Sequence, residues 1–429
     1  MVGLRGVAAA AALVVMACPV VAQGIPKAQS PEEVGFLSTR LKRLSDRLND
    51  GVKNNEIPGA VVLIARNGKI VMFESFGYRD KEAKAPMTND AIFRIASMTK
   101  PIVTVAAMML AEEGKLTLAD PVSRYIPEFA ETKVSVEKKK SDGTVELALE
   151  PQSRPMTVHD LMRHTSGLTY GFTGTNAVKR SYVDMKVMAP DQTNAEMASK
   201  LAKLALLYQP GTNWEYSMST DVLGRVIEVA SGMPLDKFIE ERIAKPLKLG
   251  DTGFDVAADK KDRGARPQRE GPNNQVPAIP DVTVRSTWKS GGGGMVSTAA
   301  DYARFLQMFA NGGQIDGVRL IGRKTIDHMT ADHLSPEMKM GADMWRLGAM
   351  EPSVANGQGF GLGFAVRNEQ GRNPLPGSPH DYHWGGIWGT YFWHDPRERL
   401  YVVFMMQSPA ARLQYRYLLR DLVYQALVN

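Results

Sequence analysis

The two ends of this chain carry its strand signals and the middle carries its helices, an order that few folds accommodate. Near the start, β-rich runs at 59–65 and 70–78 flank Arg66-Asn67-Gly68-Lys69. An Asn-Gly pair between such runs is a strong hairpin signal, because both residues tolerate the positive φ that a two-residue loop demands. Strand patterns return only at 361–366, 390–394 and 400–406, with the turn Asp395-Pro396-Arg397-Glu398 joining the last two. Between the two sets the pattern is helical. Residues 101–113 end at Gly114, and Thr157-x-x-Asp160 and Thr193-x-x-Glu196 have the form of capping boxes. Val222, Leu223, Val226 and Ile227 mark one apolar helix face, and Leu235, Phe238, Ile239 and Ile243 another. An amphipathic helix with Leu37, Leu41, Leu44, Leu48 and Val52 precedes the first strand, and one with Leu413, Tyr417, Leu422 and Val423 closes the chain. These patterns predict an α/β (α+β) fold. One antiparallel sheet is built from both chain ends and covered by terminal helices, and a mostly helical domain is inserted. The expected division is an α/β subdomain from 23–100 and 291–429 and a helical subdomain from 101–290. A charged flap at 131–155 and a polar loop at 263–290 are the candidates for gating a site.

Residues 1–22 read as a secretory signal. Arg5 gives a positive start, the apolar stretch from Val7 to Met16 is too short to span a bilayer comfortably, and Val20-Val21-Ala22 offers small residues for cleavage. A secreted or periplasmic protein is expected. Lipoprotein anchoring at Cys18 is the competing reading, which Met16 and Pro19 fit poorly. No later segment has the uninterrupted apolar length of a transmembrane helix. A single cysteine excludes a disulfide framework and any cysteine-built metal site. The net charge of +6 is small for 429 residues, and the one dense basic run, Lys138-Lys139-Lys140, is followed by Asp142 and Glu146. Nucleic-acid binding is therefore a poor reading. The seven histidines show no ligand spacing, Gly-x-Ser-x-Gly and His-Glu-x-x-His are absent, and no metal or organic cofactor is implied.

Ser-x-x-Lys occurs three times, at Ser97–Lys100, Ser135–Lys138 and Ser286–Lys289. The second lies in the charged flap and the third in the polar loop. Ser97 instead follows the apolar run Ala91-Ile92-Phe93 and opens the helix of Ile102, Val103, Val105, Met108, Met109 and Leu110. Residues i and i+3 share a helix face, which sets Lys100 beside the Ser97 hydroxyl. Backbone donors at the helix start suit a developing oxyanion. Burial disfavours the charged form of a lysine, and a serine hydroxyl needs such a base to become a nucleophile. On the motif alone, an N-cap serine with a surface lysine is an equally good reading.

The stretch Phe93-Arg-Ile-Ala-Ser97-Met-Thr-Lys100-Pro101 resembles the nucleophile motif of the serine β-lactamase and penicillin-binding-protein superfamily. It is most similar to class C β-lactamases and family VIII carboxylesterases. Leu161-Met-Arg-His-Thr-Ser-Gly-Leu168, the run from Gly291 to Asp301 and Gly359–Gly363 agree with that resemblance. The family's second motif, Tyr-x-Asn, falls on Tyr216-Ser217-Met218, so the resemblance implies Tyr216 as partner base and puts Met218 where an amide would contact substrate. The third, Lys-Thr-Gly, falls within Tyr382-His383-Trp384-Gly385-Gly386-Ile387, where either His383 or Trp384 takes the lysine's place. Either way the fixed cation that attracts a β-lactam carboxylate is missing. The family's geometry implies an oxyanion hole from the backbone N–H groups of Ser97 and Ile387, with Gly385 and Gly386 letting the strand approach substrate. Tyr170, Phe172, Trp214, Trp384 and Trp388 are candidates for an apolar pocket.

The implied activity is a secreted serine carboxylesterase that cleaves short-chain esters through an acyl-enzyme on Ser97, with a Lys100–Tyr216 base pair. The partner is a small-molecule ester. A β-lactamase with cephalosporin activity and a D-amino-acid peptidase or amidase share the nucleophile, and a non-enzymatic alternative is an acylated sensor. Oligomeric state stays open.

Overall fold

Strand β1 (Gly59–Arg66) is buried along its whole length, as a near-continuous apolar run must be when both sheet faces are covered. It turns through Asn67 and Gly68, with φ of 53° and 72°, into β2 (Lys69–Asp80). Both signs match the tight hairpin loop. The remaining strands of the main sheet are β3 (Ala85–Pro86), β4 (Gln358–Phe360), β5 (Ala365–Arg367), β6 (Tyr382–Gly385), β7 (Tyr391–Asp395) and β8 (Leu400–Met406). Their spatial order is β4-β5-β6-β7-β8-β1-β2-β3, and every neighbouring pair is antiparallel. The two chain ends meet at the β8–β1 seam, in register from Ala60 opposite Met406 to Arg66 opposite Leu400. The expected sheet from both ends is thus observed. The computed structural model describes residues 24–141, 145–271 and 273–429. The expected signal segment with Cys18, and residues 142–144 of the expected flap, lie outside the described residues.

The principal helices are α1 (Ser38–Lys53), α2 (Thr99–Glu112), α3 (Ser219–Ser231), α4 (Ala299–Ala310) and α5 (Arg412–Tyr424). Alternation along the central strands divides the core in two. Ala60, Val62 and Ile64 of β1 and Val402, Phe404 and Met406 of β8 pack against Leu41, Leu44 and Leu48 of α1 and Tyr415, Leu419 and Val423 of α5. Val61, Leu63, Tyr401, Val403 and Met405 face the larger core that holds α2, α3 and α4. Helix α2 is buried from Thr99 through Leu110, so it runs through the interior with little polar face of its own.

The expected strand at 361–366 is instead two short strands, β4 and β5, around a turn in which the Gly361 amide donates to the Phe364 carbonyl at 2.9 Å. Strand β6 had no sequence signal, because Tyr382, His383 and Trp384 are all buried and no alternation shows. The flap forms as a hairpin of Val134–Lys139 and Val145–Glu150. The polar loop at 263–290 is tied to the short strand Phe93–Arg94, which leads to Ser97, by Arg94, which donates to the Asp281 and Val284 carbonyls at 2.7 and 2.8 Å. Among the described residues, no helix is long and apolar enough to cross a membrane.

Candidate active site

Ser97 does not open α2 as the spacing suggests. It sits in a 3-10 turn, Ala96–Met98, immediately before the helix. The turn is entered through Ala96 at φ 44°, a left-handed conformation costing a residue with a Cβ about 1–3 kcal/mol and kept only when the surroundings impose it. Ala96, Met98, Thr99 and Lys100 are buried while Ser97 is partly exposed. Lys100 lies in the first turn of α2, and its Nζ is 3.3 Å from Ser97 Oγ. Lys100 also donates to the Tyr170 hydroxyl at 3.2 Å and the Gly292 carbonyl at 2.7 Å. Its Nζ therefore meets three oxygens. The other two Ser-x-x-Lys copies are not such pairs. Lys138 reaches Glu150 at 2.9 Å. Ser286 donates to the Pro190 carbonyl at 2.8 Å, and Lys289 reaches Asp255 at 2.8 Å.

Lys100 and Tyr216 are in contact, but through the ring face: Nζ lies 4.5 Å from the ring centroid. The Tyr216 hydroxyl accepts the Trp384 indole N–H at 3.2 Å. The hydroxyl that touches Lys100 belongs to Tyr170, read from the sequence only as a pocket aromatic. Tyr170 in turn faces Asp221 Oδ2 at 3.5 Å. Asp221, in the first turn of α3, was missed altogether. It accepts the Ser290 hydroxyl at 2.5 Å and the Gly292 amide at 2.9 Å. Burial raises Asp221 above the usual aspartate range, and the nearby Lys100 charge only partly offsets this. Burial, then the Asp221 charge, raises Tyr170 well above a free phenol, so it stays protonated at neutral pH. The glycine run at 291–294 carries the signal that could have located this cluster. A Cβ on Gly292 would stand 2.4 Å from Asp221 Oδ2 and 2.8 Å from the Tyr170 hydroxyl.

Behind Tyr216 lies His164, with ring centroids 4.9 Å apart. His164 is buried, and burial followed by the Lys100 charge pushes it well below the usual histidine value. It is neutral. Met218 is fully buried at the N-terminus of α3. Trp214 is core, stacked against Tyr216 with centroids 6.2 Å apart. Phe172 is 54% exposed and stacks on Tyr170 at 4.8 Å, which leaves it an accessible aromatic wall beside the cluster.

Strand parity settles the third motif. Trp384 points to the Ser97 side, against Tyr216 and Phe360, each at a centroid distance of 5.3 Å. His383 therefore points to the opposite face, with Nδ1 3.7 Å from Asp381 Oδ1 and its ring 6.0 Å from that of Tyr391. The expectation that His383 binds substrate is corrected: it is buried beneath the sheet. The two glycines also have a different reason from the one expected. A Cβ on Gly385 would meet the Arg416 guanidinium at 2.6 Å, and one on Gly386 would meet the Ile95 carbonyl at 2.4 Å. Close approach here is between parts of the chain. It draws the end of β6 onto the turn that carries Ser97, and Thr390 Oγ1 adds a bond to the Ile95 carbonyl at 3.1 Å. Ile387 follows at the loop tip, 39% exposed.

A partly exposed serine on a strained turn, a buried amine on its oxygen and a strand end drawn against the same turn are the groups that acyl transfer requires. The family model for β-lactamase matches residues 44–425. The chain belongs to the β-lactamase family. An uncharacterised protein of Mycobacterium tuberculosis is 36% identical, over 82% of this chain and 86% of its own length. The esterase EstB of Burkholderia gladioli is 30% identical, over 85% of this chain and 88% of its own. Among solved structures, EstCE1, a hydrolase with promiscuous acyltransferase activity, superposes with a TM-score of 0.74 at 27% identity, covering 90% of this chain and 99% of its own. The resemblance read from the motifs therefore holds at family level.

Proposed function

We propose that this protein hydrolyses short-chain carboxylic esters through an acyl-enzyme on Ser97. The observation that carries the reading is the buried Lys100 Nζ at 3.3 Å from Ser97 Oγ. Ser97 Oγ attacks the ester carbonyl carbon, and its proton passes to Lys100 Nζ as the free amine, with Tyr216 packed on it as the second member of the base pair. The backbone N–H groups of Ser97 and Ile387 hold the oxyanion. Collapse breaks the ester C–O bond, and the leaving alkoxide takes the stored proton. Water then attacks the acyl carbonyl, its proton returns to Ser97, and the acid is released. Tyr170, kept as a phenol, ties Lys100 to Asp221 and fixes the direction of its amine.

Preference for esters over β-lactams rests on Trp384. On the site-facing position of β6 it supplies an indole N–H to Tyr216 and no cation for a substrate carboxylate. The esterase EstB and the hydrolase EstCE1 support the same class. In EstCE1 the acyl group can also pass to an acceptor, so a small alcohol competing with water at the acyl-enzyme is a second expected reaction. We also infer that residues 1–22 direct export, which N-terminal sequencing of the mature protein would check.

The test is turnover of a p-nitrophenyl butyrate and of a chromogenic cephalosporin, beside Ser97→Ala. The expected result is ester turnover that falls at least about a thousandfold in the variant, with weak cephalosporin cleavage. Cephalosporin turnover above ester turnover would overturn the substrate class. Unchanged ester turnover in Ser97→Ala would overturn the nucleophile.

A further inference from the structure

Arg416 of α5 is fully buried beneath the loop that ends β6. Its Nη2 donates to the Gly386 carbonyl, and to the Thr390 carbonyl at 3.1 Å. Its Nη1 meets Met350 Sδ at 3.2 Å, and the guanidinium lies 5.6 Å from the Tyr391 ring centroid. The Gly386 carbonyl also accepts the Gly389 amide at 3.1 Å. One helical turn later, Arg420 is paired with Asp381 at 2.8 Å. Arg416 has no such carboxylate: among the described residues its partners are carbonyls, a thioether and a ring. A buried guanidinium held without a counter-ion is costly. Burial lowers it, but only to about 10, so it stays charged at neutral pH. The space it occupies is open because residue 385 is glycine, since a Cβ there would stand 2.6 Å from the guanidinium.

The Gly386 carbonyl and the Ile387 N–H are the two ends of one peptide unit. Resonance couples them: a cation on the oxygen draws electron density out of the nitrogen and makes its hydrogen a stronger donor. We propose that Arg416 is a positioning residue for ester cleavage, which polarises the Gly386–Ile387 peptide and holds its N–H on the oxyanion. The proposal rests on the assignment of the Ile387 amide to that oxyanion. It also gives Gly385 a reason that no contact with substrate supplies.

Replacing the ester carbonyl oxygen with sulfur tests it, because a thiono ester draws far less on oxyanion donors. Rates for p-nitrophenyl butyrate and its thiono analogue are measured for wild type, Arg416→Gln and Arg416→Lys, each normalised to Ser97 titrated with an aryl phosphonate. In Arg416→Gln we expect the oxo rate to fall about tenfold and the thiono rate to hold within about twofold, so that their ratio collapses. Arg416→Lys keeps the charge and is expected to lose only about threefold of the ratio. It carries the test alone if Arg416→Gln fails to fold. Oxo and thiono rates that fall together, at an unchanged ratio, would make Arg416 merely structural and overturn the proposal while leaving the esterase reading intact. A wild type with no oxo preference would overturn the oxyanion assignment itself.

Discussion

Asp221 and Asp381 are buried to 1% and 0% exposure, one behind Ser97 and the other beneath β6, yet their surroundings move them in opposite directions. Burial works against the charge of both. At Asp381, Arg420 and Arg367 each sit 2.8 Å from Oδ2. Together with His383 they more than offset burial and hold the carboxyl well below the usual aspartate range. At Asp221 the cation that acts on the carboxyl among the described residues is Lys100, and the Tyr170 hydroxyl stands between them. Two bonds, from Ser290 and Gly292, do not restore the balance, and the carboxyl is raised. The cluster under the sheet is saturated with direct ion pairs and fixes strands β5 and β6 to α5. The cluster at the site instead sets a hydroxyl between Lys100 and Asp221.

That contrast is breakable at four places. Lys100→Met should lower ester turnover by about 10³–10⁴-fold. Its melting temperature should hold or rise, since an imperfectly paired buried charge is removed. A variant that retains a tenth of wild-type turnover would take Lys100 out of the chemistry. Asp381→Asn should do the reverse. Two guanidiniums lose their shared anion, and a loss of about 3–5 kcal/mol in urea denaturation is expected, with turnover per titrated serine unchanged. Asp221→Asn should keep stability within about 1 kcal/mol, because the amide oxygen still accepts the Gly292 amide, while turnover drops about tenfold. Smallest of all, Tyr170→Phe should cost about three- to fivefold in turnover, because it cuts one of three bonds that direct Lys100. If it matches Lys100→Met instead, Tyr170 is the proton carrier and Tyr216 is not.

Acid titration sharpens the same comparison. Asp381 is lowered from the ordinary aspartate value of 3.8, so its contribution is present above that value and is lost as pH falls below it. Asp221 is raised from the same value, so its contribution is present at low pH and is lost as pH climbs above 3.8. The stability gap between wild type and Asp381→Asn should therefore narrow on acidification below about pH 4. The gap between wild type and Asp221→Asn should move the other way. Parallel curves for the two variants would show that the two carboxylates are not differently balanced.

What the sequence disclosed follows the same physical divide. The β1–β2 hairpin and β8 were legible because an Asn-Gly turn and an unbroken apolar run are local signals. The closeness of Ser97 to Lys100 was expected because the serine of one Ser-x-x-Lys copy leads into an apolar helix, whereas the other two lie in polar segments, but only the family resemblance chose it over an N-cap serine with a surface lysine. The choice between His383 and Trp384 was not legible. Both are aromatic, both are buried, and only the parity of β6 separates them. Asp221 was hidden because an acidic residue in a helix's first turn looks like an ordinary response to the helix dipole. Tyr170 was hidden because its hydroxyl partners, Lys100 and Asp221, come from two distant segments. The strain at Ala96 had no sequence sign at all, since alanine is an unremarkable residue until its φ is known.

The β8–β1 seam has a consequence in time. Ala60 meets Met406 across the middle of the sheet, so the strand that supports the neighbourhood of Ser97 waits on one made long after it. Closing so long a loop is slow, and β1 stands meanwhile as an open, apolar edge. Refolding should therefore show helical signal early, with esterase activity and protease resistance appearing late and together. A chain halted before residue 400 would lack the partner for β1. It would be a hazard for aggregation before it could ever be an enzyme.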